Sequence, residues 1–284
     1  MSRALSIPTI QSVGDSMART PTSHHGTRGR EDASGSSSPP PVLTVATVTY
    51  NAEKTLEKTI LSVLSQTAQH VEYVIVDGGS TDSTLEILQQ YSDRISCWIT
   101  QKDGGVYDAM NKAIALSRGQ WIHLLNADDC YVSGESLAQV IPRLDSCRLN
   151  CSAILQKSGD RFYGTQIPPR WRWPLYYSAY IPHPGLIVSR EQYGQLGLFD
   201  TRYAISADHD FILRALARYG IHVLRTPLVL MDMQGKAPRH FGQAFGEFCE
   251  ITILHGLPRW LAHLIKWFKI FRYRHFIHKK MMPV

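Results

Sequence analysis

Along this chain the apolar positions switch between two spacings, and the switches mark most of its elements. Residues 43–48 form a short run rich in β-branched and apolar side chains that ends in Thr49-Tyr50-Asn51. That is the pattern of a strand buried on both faces, followed by its turn. Residues 53–66 then place Leu56, Ile60, Val63 and Leu64 at helical spacing. The exchange repeats: a strand over 71–76 closes in Asp77-Gly78-Gly79-Ser80, and a helix follows over 81–91 on Leu85 and Leu88. Next come a strand over 95–100, a helix over 107–117 and a strand over 121–125. Strands and helices alternate with loops of a few residues. This predicts βαβ units: an α/β fold whose mostly parallel central sheet is covered by helices.

The flanks read differently. Residues 1–41 are rich in Ser, Pro, Gly and Thr, with the run Ala33-Ser-Gly-Ser-Ser-Ser-Pro-Pro-Pro41, and are expected to be a disordered leader. Residues 42–236 are expected to form the α/β domain. Residues 237–284 read as a helical, basic, amphipathic tail, with Trp260, Leu261, Leu264, Ile265, Phe268 and Phe271 recurring between Lys266, Lys269 and Arg272.

Charge sharpens this division. The chain carries a formal +6, and seven basic residues with no acid fall between Leu257 and Val284, which leaves the rest near −1. A basic body, as nucleic-acid binding would need, is therefore absent, and no nucleic-acid partner is expected. No run of about 18 uncharged apolar residues occurs to cross a membrane, and the start lacks the apolar core of a secretory signal. The five cysteines form no Cys-x-x-Cys pair, which fits a reduced, cytoplasmic setting and argues against a zinc or disulfide framework.

In an open α/β sheet, ligands bind outside the carboxyl ends of the strands. Four successive strand ends here supply carboxylates or amides: Thr49-Tyr50-Asn51, Asp77 to Asp82, Asp103-Gly104-Gly105, and Asn126-Ala127-Asp128-Asp129. Any one of these turns could be plain punctuation, since Asp-Gly is a common turn and Ser80 or Asp82 could cap a helix. Together, in this order, they point to one ligand-binding rim. Neither a dinucleotide fingerprint nor a phosphate loop is present.

The segments Val48-Thr-Tyr-Asn51, Val74 to Thr84, Asp103-Gly-Gly-Val-Tyr-Asp-Ala-Met-Asn-Lys112 and Leu125-Asn-Ala-Asp-Asp129 resemble those of family 2 glycosyltransferases. These enzymes have the GT-A fold, and the branch in question is found in bacterial capsule, O-antigen and exopolysaccharide biosynthesis. The resemblance implies transfer of a sugar from a UDP- or GDP-linked donor to a saccharide acceptor, lipid-linked, with inversion. It implies that Asp77 holds the base, with Thr49 and Glu53 at the same end of the pocket. Asn51, Gly79, Asp103, Asn111 and Asn126 complete the nucleotide-sugar set. It also implies that Asp128 ligates Mg2+ or Mn2+. Asn126 stands where the family has the first Asp of its D-x-D, and Ala113 where this branch often has Gly.

Ile205-Ser-Ala-Asp-His-Asp-Phe-Ile-Leu-Arg214 is similar to the acidic, acceptor-side motif, with Asp208 as the base and Ala207 in place of the usual Glu. Asp210, Arg214 and His183 are assigned to the same side. Arg170-Trp-Arg-Trp-Pro-Leu-Tyr-Tyr-Ser-Ala-Tyr180 interleaves aromatic and basic residues, a pattern shared by single-stranded nucleic-acid platforms and by sites for a sugar or lipid-diphosphate acceptor. The basic tail predicts attachment to an anionic membrane surface, which would place the enzyme in the cytoplasm, peripheral at the inner face of the cell membrane. Two alternatives stand beside this reading. A sugar-nucleotide nucleotidyltransferase would show a Gly-rich motif with Arg and Lys near the first strand, and a nucleic-acid-binding protein would need the basic body excluded above.

Overall fold

The computed structural model describes residues 7–18, 23–25, 39–159, 161–169, 176–177, 181–233 and 241–281. The alternating segments fold as their spacing predicts. Strand β2 (Leu43–Thr49) is followed by α2 (Leu56–Leu64), β3 (Val71–Asp77) by α3 (Thr84–Gln90), and β4 (Cys97–Thr100) by α4 (Val106–Leu116), before β5 (Trp121–Asn126). The short β6 (Cys130–Tyr131) and α5 (Ser136–Val140) lead into β7 (Arg148–Ser158) and β8 (Arg161–Gln166). Then come β9 (Leu186–Ser189), α6 (Arg190–Leu196), α7 (Ala207–Arg218) and β10 (Gly220–Asp232). Two helices, α8 (Phe241–Leu254) and α9 (Arg259–Met281), follow as a hairpin.

One half of the sheet, in the order β4-β3-β2-β5, is wholly parallel. The other half is mixed: β9 runs antiparallel to both β5 and β7, while β10 lies parallel to β7. The parallel strands are buried on both faces, as their unbroken β-branched runs require. Even-numbered positions of β2 and β3 (Ala46, Val48, Val74, Val76) pack under α4 and α7 against Met110, Ile114 and Phe211. Odd-numbered positions (Leu43, Val45, Ile75) pack under α2 and α3 against Leu56, Ile60 and Leu88.

The leader departs from expectation. Ile10–Ala18 is a helix (α1), with Ile10, Val13 and Met17 packed against the core beside α4. Thr9 and Ser12 start it by reciprocal capping: Ser12 N donates to Thr9 Oγ1 at 3.1 Å, and Thr9 N to Ser12 Oγ at 2.9 Å. Leu198 N donates to Pro8 O at 2.8 Å, fastening the segment to the α6–α7 connection. Ser23–His25 (β1) adds an antiparallel edge strand to β4. The spacing of Ile10, Val13 and Met17 is helical, but its Ser- and Gly-rich surroundings mask it. The Ala33–Pro41 run lies outside the described residues except at its last three positions. Among the described residues, no helix is long and apolar enough to cross a membrane.

Candidate active site

At the carboxyl edge of the parallel strands, Thr49 pairs with Asp77, Asp77 with Thr100, and Val48 with Asn126. Four predicted ligand-binding loops therefore leave the sheet side by side. Two of them are sewn together. Asn51 takes the left-handed conformation (φ 49°), which its side chain tolerates, and its Oδ1 accepts from Thr81 N at 2.9 Å. Asn51 N donates to Ser80 Oγ at 2.8 Å, Ala52 N to Thr84 Oγ1 at 2.9 Å, and Ser83 N to Glu53 Oε2 at 3.2 Å. Gly79 sits at φ +86°, where a side chain would be strained, and a Cβ on Gly78 would make the Asp103 carboxylate move aside.

Asp77 is fully buried. Its Oδ2 accepts from Gly79 N and Ser80 N, both at 3.0 Å, and from Thr100 Oγ1 at 2.6 Å, while Oδ1 accepts from Ser80 Oγ. The neighbouring Thr49 is also buried, yet its hydroxyl has no partner among the described residues. An unpaired buried hydroxyl is costly, and Thr49 shares that condition with Ser152 and the His209 ring.

Beyond β5, Asn126 Nδ2 donates to Asp129 Oδ2 at 3.1 Å, and Asp129 Oδ1 accepts from Asp232 N at 3.0 Å. Burial, then the Asp128 charge, push the Asp129 carboxyl up to about 8. Asp129 is therefore the neutral, structural member of the pair. Asp128 is half-buried at the rim. Among the described residues, no three His, Cys, Asp or Glu side chains converge as a self-contained metal site. One hard carboxylate oxygen, supplemented by phosphate oxygens and water, is how Mg2+ is commonly held, and the residues present fit that arrangement.

Across the rim, Asp208 stands in the first turn of α7. Its Oδ1 accepts from His209 N at 2.8 Å and lies 3.0 Å from the Tyr107 hydroxyl, which is also 2.8 Å from Ile205 O. Burial raises its pKa above the carboxylate range. The Tyr107 and His209 hydrogen bonds oppose the rise, and the Glu247 charge adds to it. Glu247, on α8, accepts from Ala204 N at 3.1 Å and from Ile205 N and Ser206 N, both at 2.9 Å. The hairpin thus supplies a carboxylate beside Asp208 where the chain itself has Ala207.

A sequence model described as "Glycosyl transferase family 2" matches residues 44–199, more than half of the chain. The chain belongs to glycosyl transferase family 2. An uncharacterised glycosyltransferase of Mycobacterium tuberculosis is 28% identical over 225 residues, covering 76% of this chain and 84% of that protein. A Mycobacterium bovis protein named as a PGL/p-HBAD biosynthesis glycosyltransferase is 30% identical over 189 residues, covering 62% and 70%. The crystal structure of Staphylococcus aureus TarS 1–349 with UDP-GlcNAc superposes with a TM-score of 0.61 at 18% identity, covering 79% of this chain and 70% of that one. The mannosyltransferase PcManGT of Pyrobaculum calidifontis, in complex with GDP-Man and Mn2+, gives 0.57 at 20% identity, covering 81% and 69%. The chain spans 42% of the longer TarS chain. These likenesses establish the GT-A fold, and the protein is a glycosyltransferase.

Against the family's pattern, the structure brings Thr49, Asn51, Glu53, Gly79, Asp103, Asn126 and Asp128 to one rim and alters five assignments. Asp77 is turned inward, so in this conformation it shapes the Gly-Gly-Ser turn and offers no exposed oxygen to a base. Asn111 is fully buried: its Nδ2 donates to Phe199 O and its Oδ1 accepts from Phe199 N, each at 2.9 Å. It joins α4 to the α6–α7 connection and binds no sugar nucleotide there.

Asp210 and Arg214 form a buried ion pair at 2.8 Å. Arg214 also donates to Leu196 O at 2.6 Å and Leu198 O at 2.7 Å, and Asp210 accepts from His255 Nε2 at 2.9 Å. Burial would lift the Asp210 pKa, but His255 and Arg214 outweigh it and hold it below the usual range. This pair fastens α7 to its neighbours rather than facing an acceptor. His183 lies in a one-turn 3-10 helix before β9, edge-on to Phe199 at 6.0 Å, and burial lowers it to about 4. It is a neutral imidazole near pH 7, behind the Phe199–Tyr107 contact (5.4 Å). The acceptor-side segment 170–180 lies outside the described residues except Tyr176 and Tyr177. Sequence reasoning missed Tyr107, Glu247 and His255. Only Tyr107 had a signal, its place in the Asp103-Gly-Gly-Val-Tyr run.

Proposed function

We propose that the protein transfers a sugar from a UDP- or GDP-linked donor to a saccharide acceptor carried on a lipid, in bacterial surface polysaccharide biosynthesis and with inversion. The observation that supports the reading is Asp208, a half-buried carboxylate with a raised pKa, which meets the Tyr107 hydroxyl in the first turn of α7. Asp208 takes the proton of the acceptor hydroxyl as that oxygen attacks the anomeric carbon. The bond from that carbon to the donor phosphate breaks, and its electron pair leaves with the diphosphate. Thr49 and the loops sewn through Asn51 receive the nucleoside end. Asp128 would hold Mg2+ or Mn2+, which neutralises diphosphate charge when bound. The PGL/p-HBAD and UDP-GlcNAc or GDP-Man relationships support the donor class and the setting. A lipid-linked acceptor calls for a peripheral position at the cytoplasmic face of the membrane.

A panel of nucleotide-sugars with lipid-linked acceptors tests this. Asp208→Asn should keep donor binding within about threefold but lose about 10²–10⁴ in transfer, the share of a positioned base. Asp128→Ala should abolish Mn2+-dependent binding of UDP or GDP. Near wild-type transfer by Asp208→Asn would falsify the assignment.

A further inference from the structure

Helix α9 runs for 23 residues, about 35 Å at 1.5 Å per residue, and has two opposite faces. The inner face packs on α8. Ala262 joins Cys249 and Leu257 in a small core with Leu261 and Ile265. The Lys269 ammonium lies 3.6 Å from the centre of the Phe248 ring, with Tyr177 and Phe245 rings at 5.5 and 5.9 Å. That lysine faces the hairpin interior, where burial lowers it to about 8.

The outer face is formed by Trp260, Leu264, Trp267, Phe268 and Phe271, all exposed, Trp260 by 70% and Trp267 by 63%. At helical spacing these five fall in a stripe about 100° wide. Trp267 and Phe271 stack at 5.6 Å, so part of the stripe is a preformed aromatic ledge. Apolar residues scattered singly over a surface are ordinary, whereas five on one face mark an interaction surface.

We propose that this face seats α9 on an anionic lipid bilayer, with the helix in the plane of the surface and its rings at the boundary between headgroups and acyl chains. Charge complementarity selects that occupant. Seven basic residues and no acid lie between Leu257 and Val284, and Arg259 and Lys266 belong to the helix that bears the stripe. Lys269 is turned inward and Arg259 is exposed, and a segment whose charges are all basic suits anionic headgroups. A second copy of this chain would bring the same positive charge against itself with no acid to meet it. The inference deepens the proposed function, since it supplies the surface from which a lipid-linked acceptor would be reached. Helix α8, which backs α9, bears Glu247, and His255 follows it directly, so the docked hairpin would hold the start of α7 and Asp208 at the membrane.

The experiment is co-sedimentation of the full chain with phosphatidylglycerol/phosphatidylcholine vesicles and with phosphatidylcholine vesicles, at low and high salt. The wild type should bind the anionic vesicles, more weakly in high salt, with a blue shift of tryptophan fluorescence. The Trp260→Ser/Trp267→Ser/Phe271→Ser variant should lose at least about tenfold in partitioning. Arg259→Glu with Lys266→Glu should lose binding chiefly at low salt. Both variants should match the wild type in melting temperature and in stabilisation by UDP, which separates this inference from the sugar-transfer reading. Equal vesicle binding by wild type and variants would overturn the docking. So would equal binding to neutral vesicles, or a concentration-dependent dimer that the serine variant abolishes. Retained vesicle binding with failed sugar transfer would support the docking while refuting the enzymatic reading.

Discussion

Tyr107 and Glu247 act on Asp208 in opposite directions, and this opposition can be measured. The Tyr107 hydroxyl, 3.0 Å from Asp208 Oδ1, stabilises the ionised carboxylate, whereas the Glu247 charge disfavours it. A hydrogen bond to a charged group contributes about 1.5–3 kcal/mol, and one pKa unit corresponds to about 1.4 kcal/mol. The hydroxyl's single proton also has Ile205 O at 2.8 Å, which favours the low end of that range. Tyr107→Phe should therefore disfavour the ionised form by about 1.5 kcal/mol and raise the Asp208 pKa further. Glu247→Gln keeps an oxygen for the backbone N–H groups of residues 204–206 but removes the like charge. It should lower the pKa, and by less, because Glu247 is partly solvated.

A base works as its carboxylate, so transfer rises with pH through this ionisation, and a raised pKa removes activity on the acid side only. Profiles of kcat/KM against pH should show the acid limb moving up in Tyr107→Phe, down in Glu247→Gln, and back toward wild type in the double variant. If both single variants depress the rate equally at every pH and the limb stays put, Asp208 is not the titrating base.

Thr49→Val removes a hydroxyl with no partner, so the unliganded protein should melt at the same or a higher temperature while nucleotide affinity falls roughly tenfold, about 1.4 kcal/mol. Unchanged affinity by calorimetry would show that no ligand atom pairs there. Arg214→Ala leaves Asp210 and the carbonyls of residues 196–198 without their cation and should cost about 3–5 kcal/mol in urea unfolding, with turnover per folded molecule little changed. Lost turnover at intact stability would return Arg214 to the acceptor side.

The parallel half of the sheet was legible because its signals are local. Val45 and Val48, or Leu56 and Ile60, declare their faces by spacing alone, and Asp77-Gly78-Gly79 declares its turn by chemistry. What spacing does not encode is what a polar side chain meets after the chain closes. Asn111 stands in a motif that resembles a donor site, yet its partner is Phe199, 88 positions on. Asp210 and Arg214 looked like acceptor-side groups, but their fate depends on His255 and on the carbonyls that end α6. Glu247 was invisible for the same reason, since nothing in Phe241–Leu254 shows that one of its acids will cap residues 204–206. The antiparallel β9 likewise follows from a long connection, not from its own four residues.

The N-terminal helix has a consequence for the order in which the molecule is made. Its apolar residues Ile10, Val13 and Met17 leave the ribosome long before Leu198, but Pro8 is tied to Leu198 and the helix rests beside α4. At about 5–20 residues per second, roughly 10–40 seconds separate the synthesis of the helix from that of its distant anchor. During that interval the apolar stripe has no complete seat, and the nascent chain presents it to whatever chaperone or neighbouring polypeptide is at hand. A helix synthesised early is thus fastened late, and its docking reports that the sheet as far as β9, together with α6, has already been laid down.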